Sequence, residues 1–135
     1  MVFKRSIIYI ETIFKFIILL KGTSINQDHT LGTSYGQYLY FETDFFENYN
    51  KARIESPIFE PVDKDFCFEF WYFIDGSYFT TLNVVKKDTK SQNETSLWKI
   101  KGSQDSKWFR GSIPLDSLEP FSIILEGLSS FRFRL

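Results

Sequence analysis

The side chains that could do chemistry in this 135-residue chain are few and scattered. Cys67 is the only cysteine, and His29 is the only histidine. A structural zinc site needs about four ligands and a disulfide needs two cysteines, so this pair forms neither. A triad built on His29 and the adjacent Asp28 would need a nucleophile beside them, which the sequence does not indicate. We therefore predict no catalytic or cofactor-binding residues, and we interpret Asp28 and His29 as structural residues of a loop.

Two interpretations of Cys67 as a side chain are open. It is either a reactive thiol or a small buried residue. No histidine or cluster of lysines lies near it in the sequence to activate it, which favours the second interpretation. Trp71, Trp98 and Trp108 could stack on a ligand, but tryptophans at strand positions more often pack. The 17 acidic residues include no pair that the sequence selects for glycoside hydrolysis.

Charge excludes one class of partner. The chain has 16 basic and 17 acidic residues and a net charge of −1, with no basic stripe. Nucleic-acid binding depends on such a stripe, so we predict no nucleic-acid partner. The sequence also contains one glycosylation sequon, in which Asn93 would carry the glycan.

The elements that must position these residues are strands. Aromatic residues make up 19% of the chain, and alanine occurs only at position 52. In residues 66–74, Phe66, Phe68 and Phe70 begin one alternating face, and Cys67 and Glu69 begin the other. This period of two predicts a central strand with one fully buried face and one partly buried face. Further strands are predicted at 37–43, 52–58, 81–85, 96–100, 107–115 and 121–125, and seven strands favour a β-sandwich.

Residues 1–24 differ from the rest. A basic start precedes an apolar stretch that Glu11 and Lys15 interrupt. A signal peptide, a membrane-anchoring helix and an unstructured leader are all open alternatives. We predict that this leader precedes a sandwich at 25–130 and that 131–135 form a tail.

The order of several short segments resembles the MAM domain, an extracellular module named for meprin, a neuropilin antigen and a receptor tyrosine phosphatase. The segments lie at 28–32, 36–40, 52–57, 67–76, 82–84, 97–98, 107–108 and 121–127. The cysteine-containing strand at 67–72, with Ser56 and Pro57 upstream and Trp98 and Trp108 downstream, carries most of the specificity.

The resemblance implies a jelly-roll-like antiparallel β-sandwich that acts in adhesion or recognition and has no catalytic residues. It also implies a possible structural cation, for which Asp28 is a candidate ligand. The family carries about four cysteines and continues beyond the glycine at 127 with a further strand. On this resemblance Cys67 is half of a disulfide whose partner the chain lacks, and the domain is expected to be incomplete.

From these observations we expect a non-enzymatic extracellular module, part of a membrane-associated or secreted protein. Its partner would be another protein or a second copy, and membrane association would run through the leader or through a part of the parent protein that the chain lacks. The alternative is a carbohydrate-binding jelly roll, because such folds share their strand pattern.

Overall fold

The computed structural model describes residues 3–4, 15–20, 39–43, 49–75, 80–102, 105 and 107–130. These residues form nine strands and, within the described ranges, no helix. The strands are β1 (Phe3–Lys4), β2 (Lys15–Leu20), β3 (Leu39–Thr43), β4 (Tyr49–Glu55), β5 (Val62–Asp75), β6 (Thr80–Asp88), β7 (Glu94–Lys101), β8 (Phe109–Ser117) and β9 (Phe121–Ser130). The predicted all-β fold is confirmed.

The strands form two sheets. In the first sheet, β5 pairs with β8 along one edge and with β1 and β2 along the other, and β3 lies outside β2. In the second sheet the order is β4-β9-β6-β7, and every pair is antiparallel. The first sheet is mixed rather than purely antiparallel, because β2 runs parallel to both of its neighbours.

Residues 15–20 differ from the sequence prediction, which assigned them to a leader outside the sandwich. They form β2, an interior strand between β5 and β3. The sequence of an interior parallel strand is a nearly continuous apolar run, without alternation between apolar and polar residues. The segment KFIILL has that character. In the described part of the chain, no helix has the length and apolar character needed to cross a bilayer.

The alternation in β5 is confirmed. Phe68, Phe70, Tyr72 and Ile74 are buried on the inner face, and Cys67 is partly exposed on the outer face. The strand begins at Val62, earlier than predicted, with an irregular register between positions 62 and 66. Since β5 is paired on both edges over much of its length, its inner side chains lie at the centre of the first sheet.

The core fills the space between the sheets. The second sheet contributes buried side chains from its two inner strands, Leu82 and Val84 of β6 and Ile123 and Leu125 of β9. Strand β8 of the first sheet adds Ile113 and Leu115 to this core. Because the core holds β4, β6, β8 and β9 in place, it also fixes the positions of the loops that connect their ends.

Candidate recognition surface at the loop end

Three connections meet at one end of the sandwich, which we call the loop end. The first joins β4 to β5 and begins with Ser56. The backbone N–H of Ser56 donates to the Ile123 carbonyl at 2.9 Å, and its hydroxyl accepts from the Ile123 N–H at 2.9 Å. The hydroxyl also donates to the Pro57 carbonyl at 2.8 Å. The Ser56 hydroxyl, rather than a backbone carbonyl, is thus the acceptor for the Ile123 N–H, and it ties the start of this connection to β9.

A second pair of hydrogen bonds holds the same connection to β9 three residues later, at Phe59. Phe59 and Phe121 exchange backbone hydrogen bonds of 2.7 and 3.1 Å, and their ring centroids are 5.6 Å apart. Both rings are buried. Ile58 lies between these two anchors and is 61% exposed. The fixed backbone therefore presents an isoleucine to solvent.

The second connection is the β6–β7 hairpin. The Asp88 N–H donates to the Asn93 carbonyl and the Gln92 N–H to the Asp88 carbonyl, both at 2.9 Å. Gln92 has a φ of 61°, and its side-chain amide donates to the Thr89 carbonyl at 2.7 Å. The Thr89 N–H donates at 3.0 Å to the Pro120 carbonyl in the turn between β8 and β9. The hairpin and that turn are thus fixed side by side.

The third connection is the β8–β9 turn. The Ser117 hydroxyl donates to the Glu119 carbonyl at 2.8 Å and accepts from the Lys86 ammonium at 3.4 Å. Lys86 also pairs with Asp88 at 3.1 Å. Leu118, at the tip of this turn, is fully exposed, with a relative accessibility of 102%.

The turn and β6 border an open cavity of about 260 Å³. Its lining residues are Lys86, Asp88, Asp116, Ser117, Leu118 and Glu119. Three carboxylates face one ammonium group, so the rim is acidic. We use the name loop-end surface for Ile58, Asp88, Asp116, Leu118 and Glu119. The described residues contain no group of three or more His, Cys, Asp or Glu arranged to hold a metal ion.

The loop-end surface combines two apolar side chains on anchored backbone with an acidic surround. That combination suits contact with a partner of complementary charge. The sequence does not indicate that Ile58 and Leu118 are exposed, since their residue types suggest core positions. One signal was available: β8 buries every second residue up to Ser117, which puts Leu118 in the outward phase.

The predicted site residues lie in different places. Asn93 is exposed in the β6–β7 hairpin at the loop end. Cys67 lies on the outer face of the first sheet, where its Sγ is 3.3 Å from the hydroxyl of Ser112 on β8. Asp28 and His29 lie outside the described residues. Of the candidates that the structure describes, Asn93 and Cys67 therefore lie at separate places.

Two of the tryptophans pack on rings of the sandwich. The Trp98 ring meets Phe70 edge-on at 5.1 Å and lies 5.2 Å from Tyr72. The Trp108 ring meets Phe73 edge-on at 5.7 Å. Trp71 is partly buried on the outer face of β5. The packing prediction thus describes the observed contacts of Trp98 and Trp108.

Charged residues of β5, β6 and β8 also have partners. Glu69 pairs with Arg110 across the β5–β8 ladder, as its outward position suggested. Lys86 and Lys87 lie on the interior strand β6, where each is only partly exposed and is paired with a carboxylate.

Local contacts shift the pKa values of two side chains on the outer face of the second sheet. The Ser122 hydroxyl donates to Glu55 at 2.6 Å and, with help from Lys87 at 3.4 Å, lowers the pKa of Glu55. The hydrogen bond from Arg53 to Glu94, at 2.7 Å, is the main cause that raises the pKa of Arg53. On the inner face, burial raises the pKa of Tyr72.

Comparison with known proteins agrees with this architecture. The sequence is similar to neuropilin-1a of Danio rerio, with 31% identity over 79% of the chain, and to neuropilin-1 of Xenopus laevis, with 29% identity over 87% of the chain. It is also 31% identical, over 72% of the chain, to MAM domain-containing glycosylphosphatidylinositol anchor protein 1 of Rattus norvegicus. The aligned regions span only 12%, 13% and 10% of those three proteins. The family model for the MAM domain, meprin/A5/mu, matches residues 18–134, and the chain belongs to the MAM domain family.

Proposed function

We propose that the chain is a non-enzymatic extracellular recognition module that contacts a protein partner through the loop-end surface. The observation that carries the proposal is the full exposure of Leu118 on a turn that hydrogen bonds hold in place. Burial of one leucine side chain contributes about 1.5–3 kcal/mol, which changes an affinity by about tenfold or more. Because the turn is already ordered, little conformational entropy is lost when a partner covers it.

The charge around Leu118 defines the partner's chemistry. Glu119 follows it in the chain, Asp116 precedes it by two residues, and Asp88 lines the same cavity. A partner would present an apolar pocket with lysine or arginine at its rim. Such rim charges mainly affect the association rate and the choice of partner.

Family membership supports the rest of the proposal. MAM domains resemble this chain in fold and act as adhesion or recognition modules of cell-surface and secreted proteins. Among the similar proteins, the one from Rattus norvegicus is named for a glycosylphosphatidylinositol anchor. We therefore place this chain at the cell surface or in the extracellular space. Its partner there is either a different protein or a second copy of the chain.

A glycan on Asn93 is part of the proposal. The Asn93 side chain is exposed in a hairpin that is hydrogen-bonded to the β8–β9 turn, so the glycan would border the loop-end surface without covering a strand. Chain secreted from glycosylating cells should lose the mass of one glycan on enzymatic removal, and Asn93→Gln should prevent the addition. A secreted chain of unmodified mass would contradict this assignment.

Cell aggregation tests the main proposal. Cells displaying the chain are mixed with each other and with cells lacking it, and aggregation is scored for the unmodified chain and for Leu118→Asp. We expect Leu118→Asp to reduce aggregation at least tenfold without changing the thermal midpoint, because Leu118 makes no core contact. Ser112→Asp is the control, since it adds the same charge at an exposed position of the first sheet.

Equal aggregation by the unmodified chain and the Leu118→Asp variant would refute the role of the loop-end surface. The alternative, carbohydrate binding by stacking tryptophans, gains no support from Trp98, whose ring packs on Phe70 and Tyr72 in the core. The Trp108 ring packs edge-on against Phe73 on the outer face of the first sheet. Loss of glycan-array binding in Trp71→Ala alone would favour that alternative.

A further inference from the structure

Two apolar side chains are buried on the outer face of the second sheet, the face turned away from the core. Val85 of β6 and Ile124 of β9 are paired in register and are 4% and 2% exposed. Their chain neighbours Val84 and Leu125 lie in the core, so Val85 and Ile124 point outward. An outward side chain at the centre of a sheet is buried only where other side chains lie over it. We call Val85 and Ile124 the apolar pair.

An ion pair crosses the sheet at this position. Arg53 lies on β4, one edge strand of the sheet, and Glu94 lies on β7, the other edge strand. Arg53 is paired with the residue two positions beyond Ile124, and Glu94 with the residue two positions beyond Val85, on the opposite side. The line that joins the two charged side chains therefore passes over the apolar pair. Arg53 Nη2 donates to the Glu94 carboxylate at 2.7 Å.

The twist of the sheet explains how side chains at opposite corners meet. Strands lie about 4.8 Å apart, so β4 and β7 are separated by about 14 Å, and an offset of four positions adds about 14 Å along the strands. On a flat sheet this diagonal is longer than an arginine and a glutamate span together. Twist raises two opposite corners of a sheet towards each other on one face. Arg53 and Glu94 thus close a trough whose floor is the apolar pair.

A chain of polar contacts leads from Arg53 back to β7. Arg53 Nε pairs with Glu126 at 3.0 Å, and the Asn83 amide donates to Glu126 at 3.4 Å. The Ser96 hydroxyl donates to the Asn83 side-chain oxygen at 2.6 Å. Because Ser96 and Glu94 are both on β7, these contacts form a closed ring through all four strands of the sheet, around the apolar pair.

The contacts of this ring differ in burial. Glu126 and Asn83 are buried, so their hydrogen bond is protected from water. The side chains of Arg53 and Glu94 are 34% and 40% exposed. An exposed ion pair contributes little to stability, because water and salt screen it. The contact between Arg53 and Glu94 is therefore the one that opens at the lowest cost.

We propose that the ion pair of Arg53 and Glu94 is a strap, which opens without unfolding of the sheet and uncovers the apolar pair. The closed face is polar and its charges are paired, whereas the open face presents an apolar trough. Salt favours the open state because it screens the pair. Lys87 and Glu55 pair at 3.4 Å across β9, on the Ile124 side of the trough. Val85 is therefore the position that reports on the strap. The strap is separate from the loop-end surface and does not depend on its partner.

Thiol labelling of the full folded chain tests the strap. Cys67 is the only cysteine, so Cys67→Ser gives a background for a single reporter thiol. Val85→Cys places the thiol under the strap, and Val84→Cys, one residue away in the core, is the matched control. The rate of reaction with N-ethylmaleimide, a neutral reagent, is measured at low and high salt. We expect Val85→Cys to react at least about tenfold faster than Val84→Cys, because local opening requires less free energy than unfolding.

Loss of the strap should increase the labelling rate. Glu94→Ala should accelerate the reaction of Val85→Cys about two- to fivefold, the range by which one exposed ion pair shifts an equilibrium. High salt should have a similar effect in the chain that keeps Glu94 and no further effect in Glu94→Ala. Glu60→Ala, which removes an exposed carboxylate from the connection between β4 and β5, should leave the rate unchanged.

Two results would overturn the proposal. Equal rates for Val85→Cys and Val84→Cys would show that the apolar pair becomes accessible only when the sheet unfolds. A Val85→Cys rate that neither salt nor Glu94→Ala changes would show that the ion pair does not control access. The salt comparison leaves Glu94 in place, so it tests the strap without a change in the ring.

Discussion

Gly111 lies directly opposite Phe70 in the β5–β8 pair, and one added methyl group at this position tests the packing of the core. A Cβ on Gly111 would lie 2.5 and 2.6 Å from Cε1 and Cε2 of the Phe70 ring, and closer still to Cζ. Favourable carbon contacts lie at about 3.5–4.0 Å. The ring or the β8 backbone would have to move by about 1 Å or more.

The surroundings of Phe70 leave little room for that movement. The ring is 1% exposed, and its centroid lies 5.6 Å from Phe68, 5.9 Å from Tyr72 and 5.1 Å from Trp98. Overpacking of a filled core costs about 1–3 kcal/mol, and we expect Gly111→Ala to be near the upper value. For a domain of this size, a loss of 2–3 kcal/mol lowers the thermal midpoint by roughly 6–15 °C.

Urea unfolding followed by circular dichroism measures the free-energy change. Ser112→Ala, one residue along on the exposed side of β8, is the control and should change the free energy of unfolding by less than about 0.5 kcal/mol. In a Phe70→Leu background the ring is gone, so Gly111→Ala should cost at least about 1 kcal/mol less than in the unmodified chain. A Gly111→Ala variant as stable as the Ser112→Ala control, or a cycle without coupling, would refute the reasoning.

Two further predictions concern hydrogen bonds at the second sheet, those made by Ser122 and by Ser56. Folding lowers the pKa of Glu55, so its contribution to stability is fully present above the ordinary value of 4.5 and is lost as the pH falls through the folded value. Ser122→Ala should raise that pKa towards 4.5 in a carboxyl NMR titration, and its effect on the free energy of unfolding should shrink from pH 7 to pH 3; an unchanged titration would show that Lys87 causes the shift. Ser56→Ala leaves the buried Ile123 N–H without its acceptor and should cost about 1–3 kcal/mol in urea unfolding, whereas Ser56→Thr, which keeps the hydroxyl, should cost less. Equal losses from both substitutions would exclude the hydrogen bond as the cause.

Much of the fold could be predicted because its signals are local. The alternation in β5 identifies the central strand, since a period of two is a property of neighbouring residues alone. All seven predicted strands overlap observed ones, with ends that differ by a few residues. The strand predicted at 52–58 runs past Pro57, whereas β4 ends at Glu55, because proline cannot continue a ladder of hydrogen bonds. The presence of one cysteine likewise determines that no disulfide forms within the chain.

Only the tertiary structure decided which residues meet. The apolar segment at 15–20 could not be recognised as a sheet strand, because its neighbours β3 and β5 lie far along the chain. The sequence does not show that Leu118 is exposed on a fixed turn, which depends on hydrogen bonds between separate connections. The outer face of the second sheet is equally nonlocal: Lys51 and Lys101 are 50 positions apart and share a row only through the registers of three strand pairs. Local patterning thus specifies strands and their inward faces, whereas the pairing of distant strands specifies the surfaces available to partners.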